Sequence, residues 1–341
     1  MATSLGVHLQ QPIRTVEARQ DLRRRLEAGI CLTVGPELPS PAAYHVLVAG
    51  RPRREEITAS PLLQAVVVPW AGIPESTRQL MREFPGVAVH NLHHNALPVA
   101  EHALALLLAA VKFVVPMDRA LRDHDWRPRY EPSPSLLLEG RTALILGYGA
   151  IGRRLAAMCR GLGMDVVAVR RHLPPAAGAF PPANGGGQRE ESGIVLATVD
   201  NLHHLLPRAT VLLICLPHTP QTTGLIGTRE LALLPPQAVL VNVGRGPIVD
   251  EAALYHALRD GRLYAAGLDV WYNYPPDAEA RAHTAPSAYP FHELPNVVMS
   301  PHRAGSSMDT EALRVRDLAH LLNAAARGEP MPNRVDLDAG Y

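Results

Sequence analysis

Residues 143–155 read ALILGYGAIGRRL, an apolar run of strand character that passes through Gly147-x-Gly149-x-x-Gly152 into a helix-like segment. A glycine run of this kind is uninformative alone, and a plain strand-to-helix turn is its bland reading; the strand before it and the helix after it supply the context. In a dinucleotide site the first glycine permits the tight turn, the second lets the backbone approach a pyrophosphate, and the third lets helix pack on strand. The first N–H groups of the helix, which carry partial positive charge, then face the phosphates. Gly147, Tyr148, Gly149, Ala150, Ile151 and Gly152 form the candidate phosphate cradle.

Outward from this point the chain alternates β-branched apolar runs with helical patterns. YHVLVAG, LQAVVVPWAG, RTALILGYG, MDVVAVRR, ATVLLICLP, QAVLVNVG and NVVMSP read as strands. Such alternation specifies parallel sheets joined by crossover helices, an α/β fold. Strands before residue 95 make a smaller sheet, and those from about residue 142 to 301 a larger one. EHALALLLAAVKFV, apolar nearly all round, reads as a buried helix at a domain or subunit boundary. A helix over Asp309–Arg327 is expected to return to the first domain. Residues 173–192, LPPAAGAFPPANGGGQREES, are Pro- and Gly-rich without periodicity and read as a surface loop.

Composition narrows the function classes. The chain has 341 residues, 47% of them hydrophobic, enough for two domains with cores of their own. A formal net charge of +1 provides no field for nucleic acid or an anionic membrane, and the short arginine clusters at 23–25 and 51–54 lack interleaved aromatics. Cys31, Cys159 and Cys215, odd in number and set among apolar neighbours, read as reduced buried thiols, consistent with a cytoplasmic protein. The N-terminal stretch lacks an apolar leader, and no later segment of spanning length escapes polar interruption.

Six motifs, VAEHALALLLA, GYGAIGRRLA, LPHTPQTTGLI, LVNVGRGPIVDEAAL, AAGLDV and LPNVVMSPHRAG, stand in the order found in D-isomer-specific 2-hydroxyacid dehydrogenases. From about residue 64 onward the chain resembles that family; the first sixty residues match loosely. The resemblance implies two doubly wound parallel-sheet domains. A Rossmann nucleotide domain over 99–303 is inserted into a smaller flavodoxin-like substrate domain formed by 1–98 and 304–341. It implies a homodimer, a small carboxylic acid substrate and hydride transfer between a nicotinamide cofactor and a 2-keto or 2-hydroxy acid, with reduction the expected direction.

That chemistry needs a cation to orient the carboxylate and an acid/base for the developing alkoxide. Arginine suits the first, because its planar fork bonds two oxygens at once, and imidazole the second, because it titrates near neutral pH. Arg245 in VGRGP and His302 in SPHRAG match the family positions for these roles. A surface arginine in a glycine turn and a capping histidine are the bland alternatives. The third family member is an acidic residue that bonds the histidine and raises its pKa. Here DVWYNYP places Tyr274 at that position, so either the relay is altered, or another carboxylate such as Asp277, Glu279 or Glu293 substitutes, or dehydrogenase activity is low; simple packing beside Trp271 and Tyr272 is the bland reading of Tyr274.

VVVPWAGIPES resembles the loop that receives the substrate carboxylate on its backbone. Ala71, Gly72 and Ile73 fit that role, while Pro74 has no N–H to give. Asn95 matches a substrate-polarising asparagine of some relatives, or caps a loop turn. His90, His93, His94 and His102 lack acidic or cysteine partners at ligand spacing, so no metal is expected. At the end of the second nucleotide-domain strand stand Arg170 and Arg171, where an NAD enzyme presents an acid to the ribose hydroxyl. Arginine there pairs with a 2′-phosphate, favouring NADP over NAD, against which Glu190 and Glu191 weigh. Leu216, Pro217, Val243 and Asp269 match further cofactor positions, Asp269 near the nicotinamide amide. A nucleotide-sensing binding protein on the same scaffold is the alternative from another class. A reductase of a phosphonate-type acid is a third reading.

Overall fold

The computed structural model describes residues 4–11, 13, 15–173, the backbone of 188–189, and 193–340. The chain divides into two compact units, Met1–Ala96 with Ser306–Tyr341, and Leu97–Gly305. The first unit contains β1 (Leu5–Leu9), α1 (Val16–Arg25), β2 (Ile30–Val34), β3 (Val46–Val48), α2 (Arg54–Thr58), β4 (Ala65–Val68), α3 (Glu75–Arg82) and β5 (Ala88–Asn91). The second is entered along α4 (Ala96–Val111) and α5 (Val114–Arg122) and begins its sheet with β6 (Thr142–Leu146), α6 (Ala150–Gly161) and β7 (Asp165–Val169). It continues through β8 (Gln188–Arg189), β9 (Val195–Ala197), α7 (Leu202–Leu205), β10 (Val211–Ile214), α8 (Thr228–Leu233), β11 (Val239–Asn242), α9 (Glu251–Arg259), β12 (Ala265–Leu268) and β13 (Val297–Met299). Helix α10 (Thr310–Ala326) then belongs to the first unit and packs on α1.

The first sheet has the order β2-β1-β3-β4-β5 with every pair parallel, the flavodoxin-like arrangement. The second has the order β13-β12-β11-β10-β6-β7-β9-β8, parallel except for β8 against β9. Its strand order reverses between β6 and β10, and the glycine-rich turn follows β6 at this switch point, where open α/β sheets take their ligands. The seven strand runs read from the sequence all appear, and β8 adds a two-residue antiparallel edge inside the Pro/Gly-rich stretch. The rest of that stretch expected as a loop, residues 174–187 and 190–192, lies outside the described residues.

Strands covered by helices on both faces must be apolar at every position, and alternate side chains then feed two cores. Ala143, Ile145, Val211, Leu213, Val239 and Val241 join the buried face of α4 on one side of the second sheet. Leu144, Leu146, Leu212, Ile214 and Leu240 join Leu254 and Leu258 of α9 on the other. Helix α4 thus packs on the sheet of its own unit, through Ala103, Leu107 and Ala110. Cys159 is buried, but Cys31 is exposed, contrary to expectation, because β2 is an edge strand with its outer side in solvent. Among the described residues no single helix is long and apolar enough to cross a membrane.

Candidate active site

The carboxyl ends of six neighbouring strands of the second unit, β13, β12, β11, β10, β6 and β7, carry most of the residues singled out by sequence. Beyond β6 lies Gly147, with φ at +102°, which a side chain rarely tolerates. A Cβ on Gly152 would sit 1.9 Å from the Gly147 carbonyl oxygen, so helix α6 reaches the turn only because that residue has none. At Gly149, the N-cap of α6, a Cβ would meet nothing within 4 Å, and no side chain caps the helix. Open space above uncapped N–H groups at the start of a 12-residue helix fits a pyrophosphate. The Arg153 guanidinium lies 4.7 Å over the Tyr148 ring. Cys215, at the end of β10, donates its S–H to the carbonyls of Gly147 at 3.1 Å and Leu146 at 3.4 Å. Burial pushes this thiol up to about 12, so it remains a donor that ties the turn to β10.

Leu216 and Pro217 follow Cys215, and the Leu216 side chain comes to 3.3 Å of a Cβ built on Gly147. Val243, at the end of β11, is largely buried. Arg170 follows β7 and is tied by its N–H to the Ala197 carbonyl at 3.0 Å. Among the described residues its guanidinium pairs with no carboxylate; Arg171 is its neighbour, and Glu190 and Glu191 lie outside the described residues.

Arg245 is exposed on a turn braced from beneath by buried Asn242, whose amide donates to the Arg245 carbonyl and accepts from Gly244 N–H, both at 3.0 Å. The turn lies so close to the chain after β12 that a Cβ on Gly246 would stand 2.3 Å from the Trp271 carbonyl oxygen. His302 follows β13 with φ at +56°, in the left-handed region. Its Nδ1 lies 2.9 Å from the Tyr274 hydroxyl, and that hydroxyl also accepts the Trp271 backbone N–H at 3.2 Å. Tyr274 therefore touches His302 rather than merely packing beside Trp271 and Tyr272.

Burial, and next the Arg245 charge, hold His302 below the usual histidine range, with Asp269 opposing them. Burial raises the Tyr274 phenol, which the Trp271 N–H and Arg245 partly offset. The charge that opposes the lowering of His302 comes from Asp269, while Asp277, Glu279 and Glu293 make no hydrogen bond to His302 among the described residues. Asp277 caps Ala280 N–H, Glu279 is exposed, and Glu293 stands 3.8 Å from His292.

Asp269 is 1% exposed, and its oxygens are engaged by the protein itself. It accepts the Ser300 hydroxyl at 2.5 Å, Arg303 N–H at 2.8 Å and Ala304 N–H at 3.0 Å. The Trp271 indole donates to the Ser300 carbonyl at 2.8 Å, and His102 Nε2 meets the Ser300 hydroxyl at 2.9 Å. These contacts fix the loop on both sides of His302, which is how a non-glycine residue is kept at positive φ. Asn242 and Ser300 do not stand out in the sequence as site residues, and His102 does so only as one of four histidines weighed for a metal, since a buried polar residue differs from a surface one only once its partners are placed.

Ala71, Gly72, Ile73 and Asn95 belong to the first unit, Arg245, Tyr274 and His302 to the second. The Ala71 carbonyl accepts the amide of buried Asn91 at 2.6 Å, Gly72 is exposed, and Ile73 packs against one core of the first unit. Pro74 is the N-cap of α3. Asn95 lies in the turn before α4. His90 Nδ1 contacts the Pro332 carbonyl at 2.8 Å, and no group of three or more His, Cys, Asp or Glu among the described residues is placed to hold a metal ion.

Residues 104–304 match the family model described as D-isomer specific 2-hydroxyacid dehydrogenase, NAD binding domain. The chain is 32% identical over 286 residues to D-3-phosphoglycerate dehydrogenase of Mycobacterium leprae, an alignment covering 84% of this chain and 49% of that protein. It is 31% identical over 250 residues to glycerate dehydrogenase of Methylorubrum extorquens, covering 72% of this chain and 70% of the other. The chain thus spans about half the length of the first of these curated relatives. A D-isomer specific 2-hydroxyacid dehydrogenase from Xanthobacter autotrophicus, solved with NADPH and MES, superposes with a TM-score of 0.75 at 22% identity, covering 99% of this chain and all of that one.

Proposed function

The chain belongs to the D-isomer specific 2-hydroxyacid dehydrogenase family, and from that membership and the site geometry we propose that it reduces a small 2-keto acid to the 2-hydroxy acid. The observation that carries this reading is the contact of Tyr274 and His302 beside Arg245, in the same unit as the glycine cradle. Gly147 to Gly152 hold the pyrophosphate of NADPH or NADH, with Leu216, Pro217 and Val243 lining the same edge. A bound nicotinamide supplies the hydride. Arg245 orients the carboxylate and polarises the ketone, His302 gives a proton to its oxygen, and Tyr274 holds His302. Asp269 acts as a positioning residue for the His302 loop, its oxygens already being occupied.

Arg170 and Arg171 favour NADPH. The relatives named D-3-phosphoglycerate dehydrogenase and glycerate dehydrogenase support a three-carbon acid. Residues 99–303 serve as the dinucleotide domain. Residues 1–98 and 304–341 serve as the substrate domain, with Ala71, Gly72, Ile73 and Asn95 as substrate contacts. The free cysteines suit the cytoplasm. Exposed Val114, Leu121, Trp126, Tyr130 and Leu137, within one stretch of the second unit, suit a homodimer, which light scattering of the purified protein tests. Activity is tested by NADPH consumption with glyoxylate, hydroxypyruvate, pyruvate and an aromatic keto acid. Turnover of one of them is expected; tight dinucleotide binding without any turnover would favour a nucleotide sensor instead.

A further inference from the structure

Taking His302 as the acid of keto-acid reduction, and resting on that reading, we propose that Tyr274 hands a proton to His302 Nδ1 as His302 Nε2 gives its own to the substrate oxygen. The neutral histidine–phenol pair is then the acid, rather than an imidazolium.

The direction of one hydrogen bond carries the inference. The Tyr274 oxygen already accepts the Trp271 backbone N–H at 3.2 Å, and His302 Nδ1 lies 2.9 Å away. If Nδ1–H donated to it as well, the phenol oxygen would receive two N–H donors and its own hydrogen would have to turn away from the protein to solvent. With the phenol donating to Nδ1, the Trp271 N–H, the Tyr274 O–H and the imidazole nitrogen are all satisfied. Neutral His302 therefore keeps its proton on Nε2. The charged groups that act on the two rings are the same, Arg245 and Asp269. Asp269 is engaged by Ser300 and two backbone N–H groups, whereas Arg245 is exposed and disfavours a second positive charge on the imidazole.

An imidazole that gives up its only N–H becomes an imidazolate, a poor outcome near neutral pH. A proton arriving at the other nitrogen removes that cost. In the step, the His302 Nε2–H bond breaks as the substrate O–H bond forms, and the Tyr274 O–H bond breaks as Nδ1–H forms. The electron pair of the ketone π bond takes the Nε2 proton once hydride from a reduced nicotinamide has reached carbon. His302 ends neutral in its other tautomer. Tyr274 ends as a phenolate that accepts the Trp271 N–H and faces Arg245. The pair resets when water protonates the exposed His302 at Nε2 and the Nδ1 proton returns to the Tyr274 phenolate, so one solvent proton is consumed per turnover.

The test is the reduction rate against pH for wild type, Tyr274→Phe and Tyr274→Glu, together with ¹⁵N NMR of the nucleotide-free proteins, His302 being assigned by difference from His302→Gln. Wild type should hold its rate from about pH 7 to about pH 9, below the range of the phenol, while Tyr274→Phe, left with imidazolium alone, should lose about tenfold per unit across that whole range, since burial and Arg245 place the imidazolium limb below the ordinary histidine value. Tyr274→Glu should move that limb upward relative to Tyr274→Phe. Above pH 7 the wild-type spectrum should show Nε2 protonated and Nδ1 bare, with both tautomers present in Tyr274→Phe. Identical profiles for wild type and Tyr274→Phe, or a protonated Nδ1 in neutral wild type, would overturn the relay while leaving the keto-acid reading intact. Failure of wild type to turn over any keto acid would overturn both.

Discussion

Arg245 and His302 divide the work by what each side chain is able to do, and their variants should fail differently. An arginine fork binds a carboxylate in the ground state, so Arg245→Ala should chiefly raise KM. A general acid acts in the transition state, so His302→Ala should lower kcat by about a hundredfold or more. Dinucleotide affinity, read by fluorescence titration, should be little changed in both; unchanged kcat in His302→Ala would remove histidine from the proton step. Arg170 offers a separate test. One charge-assisted contact to a 2′-phosphate contributes about 1.5 to 3 kcal/mol, or roughly tenfold or more in affinity. Wild type should bind NADPH more tightly than NADH, and Arg170→Asp should reverse the order; equal binding in wild type would end the argument. At this scale the sequence was readable where a residue sits in a short motif, as Arg245 and His302 do. The hydrogen bond to Tyr274 was not, because a tyrosine in place of an acid is compatible with packing or with bonding until the Trp271 and His302 atoms are placed around it. Nor was the position of Asp269, whose three protein donors come from residues 31 to 35 positions onward.

At the scale of elements, the glycine turns decide whether helix and strand ends can meet. Gly152→Ala places a methyl 1.9 Å from the Gly147 carbonyl oxygen, and backbone has no rotamer by which to withdraw. The turn must open, at about 1 to 3 kcal/mol, with the phosphate cradle displaced. Lower thermal stability and a loss of tenfold or more in dinucleotide affinity are expected together. Gly149→Ala is the control, since its backbone is extended, at φ −90° and ψ −153°, and its Cβ meets nothing. Stability should survive there, and any loss of affinity would report the bound phosphate itself. If Gly152→Ala kept both properties, the cradle would not depend on this close approach. Strands with three or more apolar residues in succession, β6, β10 and β11, stand out in the sequence, while β1, β5 and β12 do not. Strand β1 carries buried His8, β5 ends in buried His90 and Asn91, and β12 contains Gly267, where a Cβ would come within 2.8 Å of Leu106 on α4. Polar or glycine positions break the apolar pattern for reasons that exist only between elements.

For the molecule as a whole, the histidines set a limit on the acid side. His8, His90 and His94 of the first unit are all buried, and burial is the largest cause holding each below the ordinary histidine range. Each therefore takes up a proton less readily in the fold than in the unfolded chain, where it does so near pH 6.5. As pH falls through that value the unfolded state binds protons that the folded state does not, so stability is complete above pH 6.5 and declines toward the folded pKa values. Each histidine adds at most about 1.4 kcal/mol per pH unit within that window. His94 is the clearest case, because its Nδ1 is buried without a hydrogen-bond partner among the described residues, and Asp317 and Glu311 only partly counter its desolvation. His94→Leu removes both the orphaned nitrogen and the titration while keeping comparable bulk. Denaturant unfolding at pH 7.5 should show a variant at least as stable as wild type, and between about pH 6.5 and 5 its stability should fall less steeply. A variant as acid-sensitive as wild type would place the acid limit elsewhere, with His302 of the second unit the next group to test, since burial and Arg245 lower its pKa too.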